Sequence, residues 1–393
     1  MLVNKMKNKQ IISFGLGLIF SIIWFQLPCK AKDLTIEPAI ELRAVYDDNL
    51  DFESKDETDS FGANAIPRLT LDYQTELLRV SLIGQVDIIK YYTETDYDRT
   101  NYLSGFDGEY RMAPRWVIQG NLQYRRDETI DSQLEETGQA FKRKRVETYD
   151  AGSGLFYELS ELSDIGLGFE YRKRDFKSGD SVDFDRYTFR LPYTKRFANQ
   201  RDTLAFVPAY TIFDSDAEDA KDYSFAVEWE RQISETLTSQ LNVGARYTDI
   251  DESNNNNNDD SLGYFGQAVL SKTTETFLGE IGVTRDLRAN SDGQVIVVNR
   301  FYLRGDKSLL ERLGVRFYGA AYQSDTESDD ANGDKTRFFE LRPTLYYMLT
   351  ENHSLLLAYE YQNQKEFDEP GDPVTERNRG WLGFEFKFPQ KWN

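Results

Sequence analysis

Period-2 alternation that places ionised residues in mid-segment constrains this chain more than anything else in it. In LLRVSLIGQVDIIKYY (77–92), Leu78, Val80, Leu82, Val86 and Ile88 alternate with Arg79, Ser81, Gln85 and Asp87. In 164–176, Ile165, Leu167, Phe169 and Tyr171 alternate with Gly166, Gly168, Glu170 and Arg172. In 222–231, Phe225, Val227 and Trp229 oppose Ser224, Ala226, Glu228 and Glu230. Such spacing is that of a strand with two unlike faces. A face with Arg, Asp and Glu at its centre cannot be a dry core, because unpaired buried charge is too costly. One face therefore meets water while the other is continuously apolar.

The alternation recurs along the chain. Strands are expected at 34–46, 61–73, 77–92, 101–112, 115–126, 146–159, 164–176, 184–196 and 203–213. A second set is expected at 222–231, 237–249, 262–272, 276–287, 294–304, 310–323, 336–348, 353–362 and 379–388. The connections alternate too: long acidic ones such as 47–60, 127–145 and 324–335 follow one strand end, and tight ones such as 74–76 and 113–114 follow the other. Soluble sandwiches use strands of about five or six residues. Most of these run longer, matching the roughly nine to eleven residues that a tilted strand needs to cross hydrocarbon. The expected fold is all-β: a single transmembrane, antiparallel, up-and-down barrel of about 18 strands, with long acidic extracellular loops and short periplasmic turns. Tyr91, Tyr92, Tyr102, Trp116, Tyr124, Tyr157, Tyr346, Tyr359 and Trp381 lie near expected strand ends, where interfacial girdles form, although ordinary strand propensity also favours them.

The first thirty-one residues read differently. Three lysines precede an almost wholly apolar stretch, 11–27, and Pro28-Cys29-Lys30-Ala31 follows. This is the layout of a secretory signal cut after Ala31, with an uncleaved anchor as the other reading. The domain division is thus 1–31 signal peptide and 32–393 barrel, placing the protein in the bacterial outer membrane. Strand patterning begins almost at the cleavage site, so no plug or helical-repeat domain is expected. Partners would be membrane lipid and lipopolysaccharide, together with the machinery that inserts barrels.

Composition excludes several functions. Lys and Arg total 47 against 67 Asp and Glu, a formal charge of −20, which argues against nucleic acid as a partner. Cysteine and histidine occur once each, at Cys29 and His353, so disulfide frameworks, Cys/His zinc sites and covalent haem are not expected. No cofactor, no metal and no catalytic residue is assigned, because His353 lies beside the tight turn 349–352 without a Ser or Asp constellation. Acid-rich runs at 47–59 and 325–334 lack the Gly-centred spacing of a calcium loop and read as solvated loops. The basic run Lys142-Arg-Lys-Arg145 ends the longest loop and could fold into a pore as a constriction. Asn254–Asn258 reads as a flexible tip.

A family resemblance rests on Tyr46-Asp-Asp-Asn49 after the first strand and on strands such as Pro114-Arg-Trp-Val-Ile-Gln-Gly-Asn121 and Glu351-Asn-His-Ser-Leu-Leu-Leu357. These resemble the β-barrel porin type 2 family, several members of which accompany exopolysaccharide secretion clusters. Gly383-Phe-Glu-Phe-Lys-Phe388 resembles the terminal assembly signal of outer-membrane barrels, except that Pro389–Asn393 follows it. The resemblance implies a pore, with exopolysaccharide export aided by periplasmic export proteins as the first expectation. A general or substrate-selective diffusion porin and the sheath of an electron-transfer conduit are the alternatives.

Barrels of this size enclose water. Parity places Arg79, Asp87, Arg125, Glu170, Arg172, Arg186, Arg190, Glu228, Arg246, Glu280, Arg316, Tyr318, Glu340, Arg342 and Glu360 on the inner face as pore-lining candidates. Basic residues gather on 77–196 and Glu228, Glu230, Glu280 and Glu360 weight the other arc. This would set a transverse field, unless the charges pair across neighbouring strands. Tyr318, Tyr322 and Tyr346 could offer stacking faces to sugars.

Overall fold

The computed structural model describes residues 33–139, 143–177, 181–216, 218–252, 258–326, 335–367 and 373–392. The signal segment, Lys142, most of the Asn254–Asn258 tip and most of the 325–334 acid run lie outside the described residues. Eighteen strands form the wall. The first nine are β1 (Asp33–Asp47), β2 (Ser60–Gln74), β3 (Leu78–Tyr91), β4 (Arg99–Ala113), β5 (Trp116–Glu128), β6 (Arg145–Ser160), β7 (Ser163–Phe176), β8 (184–196, in two halves) and β9 (Asp202–Ser215). The rest are β10 (Glu218–Ser234), β11 (Leu237–Glu252), β12 (Asn258–Thr273), β13 (Phe277–Ala289), β14 (Val295–Ser308), β15 (Leu313–Thr326), β16 (Lys335–Thr350), β17 (His353–Phe367) and β18 (Val374–Lys387). One helix, α1 (Thr129–Thr137), and a one-turn 3-10 helix (Thr95–Tyr97) sit in loops.

Each strand pairs antiparallel with its sequence neighbour, and β1 pairs with β18 from Ala39↔Lys387 to Asp47↔Arg379, closing the cylinder. Closure leaves no lipid-facing edge whose N–H and C=O groups go unpaired. The last residues prolong β18 past Pro389, which cannot donate. Phe388 N–H bonds Pro38 O at 2.8 Å, and Gln390–Trp392 pair with Leu34–Ile36. Strand β8 is interrupted at Leu191-Pro192, where Pro192 O accepts from Gly166 N–H at 2.8 Å. Four tight turns carry a register shift, at Arg111/Ala113, Glu158/Ser160, Gln232/Ser234 and Met348/Thr350.

Directly opposed residues share a face, so the register sorts the wall in two. Leu82, Phe106 and Leu122 follow one another across β3, β4 and β5, as do Phe169 and Phe189 across β7 and β8. Leu122, Leu167, Phe225, Val243, Leu357 and Leu382 are each about half exposed. Large apolar side chains left open around a whole cylinder are a surface for hydrocarbon rather than water. Tyrosines ladder across the strands toward the long-loop end: Tyr124–Tyr149, Tyr171–Tyr187 and Tyr210–Tyr223, with ring centroids 4.8 to 5.1 Å apart. Trp116–Tyr157, at 4.7 Å, marks the short-turn end. These amphipathic rings sit where an apolar band gives way to water on either side.

Beyond the tyrosine ladder the loops are tied to the wall. Asp47 and Arg377 form a fully buried ion pair at 2.5 Å across the β1–β18 seam. Asn49 Nδ2 donates to Glu53 O and Glu376 O at 2.7 and 2.8 Å. Asp48 accepts from Asn378 N–H at 2.6 Å, and Asp51 accepts from Tyr97 Oη. Part of the first acid run is therefore structural cement rather than a solvated tip.

Candidate functional site

The 127–145 connection does not stay outside. In the acidic segment ETIDSQLEETG, only Ile130 and Leu134 are apolar, four residues apart and hence on one helical face. Helix α1 forms there, with Asp131 in its first turn, where the macrodipole favours an anion. It ends at Gly138, which takes φ 71° and gives its N–H to Leu134 O at 3.0 Å. Ile130 and Leu134 are fully buried against Phe52, Ile296, Val298, Tyr302, Ala320, Tyr322 and Phe338, all inside the barrel. Ser132 Oγ donates to Asp127 Oδ1 at 3.0 Å, and Thr129 N–H bonds Lys144 O at 2.8 Å, holding the loop's entry and exit together.

The helix reaches walls that face each other across the lumen. Asp131 lies 3.4 Å from Arg99 of β4 and 3.8 Å from Arg379 of β18. Glu136 pairs with Arg174 and, at 3.6 Å, with Arg172 of β7. Glu135 lies 3.7 Å from Arg342 of β16. Tyr322 Oη donates to Glu135 O at 2.7 Å, Ser324 Oγ donates to Thr137 O, and Gln139 Nε2 donates to Thr336 Oγ1 at 3.3 Å. Burial opposes ionisation of Glu136, but the Arg174 and Arg172 guanidiniums outweigh it and hold the carboxyl at about 2. Burial likewise opposes ionisation of Asp131, yet Arg99, Arg379 and Arg377 keep it below the usual carboxylate range. Burial raises Glu135 despite Arg342. Two of the three helix acids are thus locked as anions.

A second element also leaves the wall. The β12–β13 ladder runs from Thr273↔Leu278 to Gly266↔Arg285 and stops, while β12 continues to Asn258 against β11 alone. Above that point the β13–β14 hairpin bends inward. One of its faces packs Leu287, Val295 and Val297 on Phe213, Ala220 and Ile250. The other offers Ile296 and Val298 to α1. Its tip is held by Asn290 Oδ1, which accepts from Asp292 and Gln294 N–H at 3.0 Å each. Gly293 at φ 77° gives its carbonyl to Ser215 Oγ at 3.0 Å, and Ser291 O accepts from Val182 N–H at 3.1 Å. Wall, hairpin and helix form a three-layer stack across part of the mouth.

The register puts the pore-lining candidates on the inward face, most of them around three cavities. Asp87, Arg125, Arg342 and Glu360 line a cavity of about 340 Å³ bounded by Asp131 and Glu135 of the helix. Arg186, Arg190, Glu228, Arg246, Glu280 and Tyr318 line one of about 610 Å³, bounded by Leu287 and Arg288 of the bent hairpin. Arg79 and Glu170 line a third, of about 480 Å³, which shares Arg190 and Glu228 with the second. Arg172 bonds Asp150 at 2.5 Å, Arg316 bonds Asp306 at 2.9 Å, and buried Glu340 lies 3.4 Å from Arg342.

Local pairing cuts into the charge separation between the two arcs, through Arg190–Glu170 at 3.1 Å, Arg304–Glu280 at 2.9 Å and Arg379–Glu360 at 2.9 Å, without neutralising either arc in full. The described part of the basic run, Arg143–Arg145, is not the constriction either. Arg143 is spent on Glu128 at 2.6 Å, Lys144 Nζ on Ser181 Oγ at 2.8 Å, and Arg145 begins β6. It is the acidic helix before them that enters the lumen. Tyr322 and Tyr346 are bonded to Glu135 O and Asp306, which leaves Tyr318 as the tyrosine of the three that lines a cavity. His353 bonds Thr350 Oγ1 at 2.6 Å in its turn and sits edge-on to Phe386.

No family model matches this sequence, and no curated protein matches it. Among solved structures, it is similar to OccK1 (OpdK) of Pseudomonas aeruginosa at 10% identity and a TM-score of 0.48, covering 90% of this chain and 99% of that one. It is similar to OccAB4 of Acinetobacter baumannii at 11% identity and a TM-score of 0.43, covering 92% and 99%. The siderophore receptor PirA of P. aeruginosa follows at 12% identity and a TM-score of 0.42, covering 90% and 80%. Likeness of this order carries no argument about function. The chain's own register and outer face establish a closed, all-β, eighteen-stranded antiparallel barrel of the integral outer-membrane kind.

Proposed function

We propose that the barrel is a diffusion channel for small polar solutes, with selection at the level of α1. The observation that carries this reading is the helix held across a charged lumen by contacts to β4, β7, β15, β16 and β18, with a cavity of about 340 Å³ against it and another of about 610 Å³ elsewhere on the inner wall. Cavities of that size hold molecules of small-metabolite scale. A fixed constriction lined by paired charges passes such solutes and excludes polymers.

Export of an exopolysaccharide, the expectation from the family resemblance, requires α1 to leave the lumen and ranks second for that reason. Planar-bilayer recording of the purified mature protein separates the two. A steady open channel supports the diffusion reading. A channel that stays closed until a periplasmic partner is added supports export instead, and a deletion strain with altered surface polysaccharide would do the same in cells.

A further inference from the structure

We infer that the larger lumen cavity is a binding station for small organic anions bearing a carboxylate or phosphate. This names the substrate class of the channel proposed above and rests on that reading. The cavity is lined by seven arginines and four carboxylates, whereas the smaller cavity beside α1 has five of each. The excess is real at the level of contacts. Arg190 and Arg304 have carboxylate partners, at 3.1 and 2.9 Å. Arg186, Arg288 and Arg300 have none within 4.0 Å among the described residues.

These three come from different elements: Arg186 from β8, Arg288 from the inward-bent end of β13, and Arg300 from β14. Arg300 is also oriented. It donates to Tyr318 Oη at 2.8 Å and stacks on the rings of Tyr302 and Tyr322, at 4.8 and 5.3 Å. Its Nε is buried without an acceptor. A guanidinium fixed by aromatic faces, with a donor unspent, is prepared for a planar oxyanion.

Gathering like charges in one cavity raises their energy, and an anionic guest lowers it. Inward bending of the hairpin is what delivers Arg288, so the feature that narrows the mouth also completes the basic site. Below it the third cavity has two arginines, Arg79 and Arg190, against four carboxylates, including Glu170 and Glu228 shared or adjacent along the wall. Capture above and repulsion below favour passage over trapping.

The test uses the mature protein in planar bilayers under a KCl gradient, with sodium succinate, sodium phosphate and arabinose as added probes. The expected wild-type reversal potential is that of an anion-preferring channel, and succinate or phosphate, not arabinose, interrupts the current. Succinate alone active assigns a carboxylate guest, and phosphate alone a phosphoryl one. The triple R186Q/R288Q/R300Q variant should lose the preference by about tenfold. The triple Lys variant keeps the preference but loses the block, because lysine cannot grip an oxyanion with two parallel donors; it also serves should the Gln variant fail to fold, as judged by heat-modifiable gel migration. Cation preference in the wild type, or an unchanged reversal potential in the folded Gln variant, overturns the anion site while leaving the channel intact. A wild-type protein that conducts nothing overturns the channel reading and this site with it.

Discussion

Removing the lumen helix should at least double the conductance without weakening the wall. Glu128 and Arg145 are directly opposed in the β5–β6 ladder, so residues 129–144 can be replaced by a two-residue Asn-Gly hairpin turn with no change of register. Nine helical residues make a cylinder about 14 Å long and about 10 Å across, which displaces roughly 1,000 Å³. The cavity that the helix itself bounds, with Asp131 and Glu135 in its lining, is about 340 Å³. The free section at this level thus at least doubles, and the current through the narrowest level should follow. Three acids leave with the helix while Arg99, Arg174 and Arg342 stay, so the variant should also shift toward anions. Single-channel recording in 1 M KCl, beside a thermal melt followed by gel mobility, reads both effects. A wild-type conductance in a normally folded variant would refute the placement of α1 in the ion path.

Other expectations are narrower. Gly138→Ala would force a side chain into the left-handed region at a strain of about 1–2 kcal/mol, with its Cβ 2.6 Å from Tyr322 Cβ and 3.1 Å from Phe338 Cβ; current noise and protease cleavage near 138 should both rise. Arg377→Ala strands the buried Asp47 carboxylate and should cost about 3–5 kcal/mol, seen as a lower transition temperature in detergent. Combining Asp47→Leu with Arg377→Met removes both charges together and should lower that temperature less. Because Glu136 titrates lower in the folded chain than free glutamate does, its latch is complete above the ordinary carboxylate pKa of about 4.3 and fades as the pH falls toward about 2. The share of the conductance that this latch controls should therefore change only in strong acid. Glu136→Gln should remove that acid step.

The wall was legible because lipid and water sort every residue of a spanning strand. An expected strand at 164–176 against an observed Ser163–Phe176, or 184–196 against the interrupted β8, shows how tightly alternation fixes the elements. What alternation cannot report is a segment that bends off the wall, since parity persists while its surroundings change. The β13–β14 hairpin carried one sign of this: in Val295-Ile-Val-Val298 both faces are apolar, and all four residues are buried. The helix carried another, the Ile130/Leu134 pair in an otherwise polar loop, closed by Gly138. Both signals are only a few residues long; the first lies in an ordinary expected strand, 294–304, and the second in a stretch whose acidity suggests solvent. The pairing within the two charged arcs was illegible for a different reason, because cross-strand partners such as Arg379 and Glu360 belong to segments whose register only the folded ladder reveals.

The ladder parts from Gly266 and Arg285 onward, toward the long-loop end, beside Tyr264, on whose ring Arg285 stacks. Integrity of the seal and shape of the entrance are thereby assigned to separate stretches of chain. A mutation, insertion or exchange in the bent hairpin can retune what enters without opening a leak through the bilayer. Change can accumulate at the rim while the staves beneath it stay fixed, and a designer seeking a new filter would graft there first.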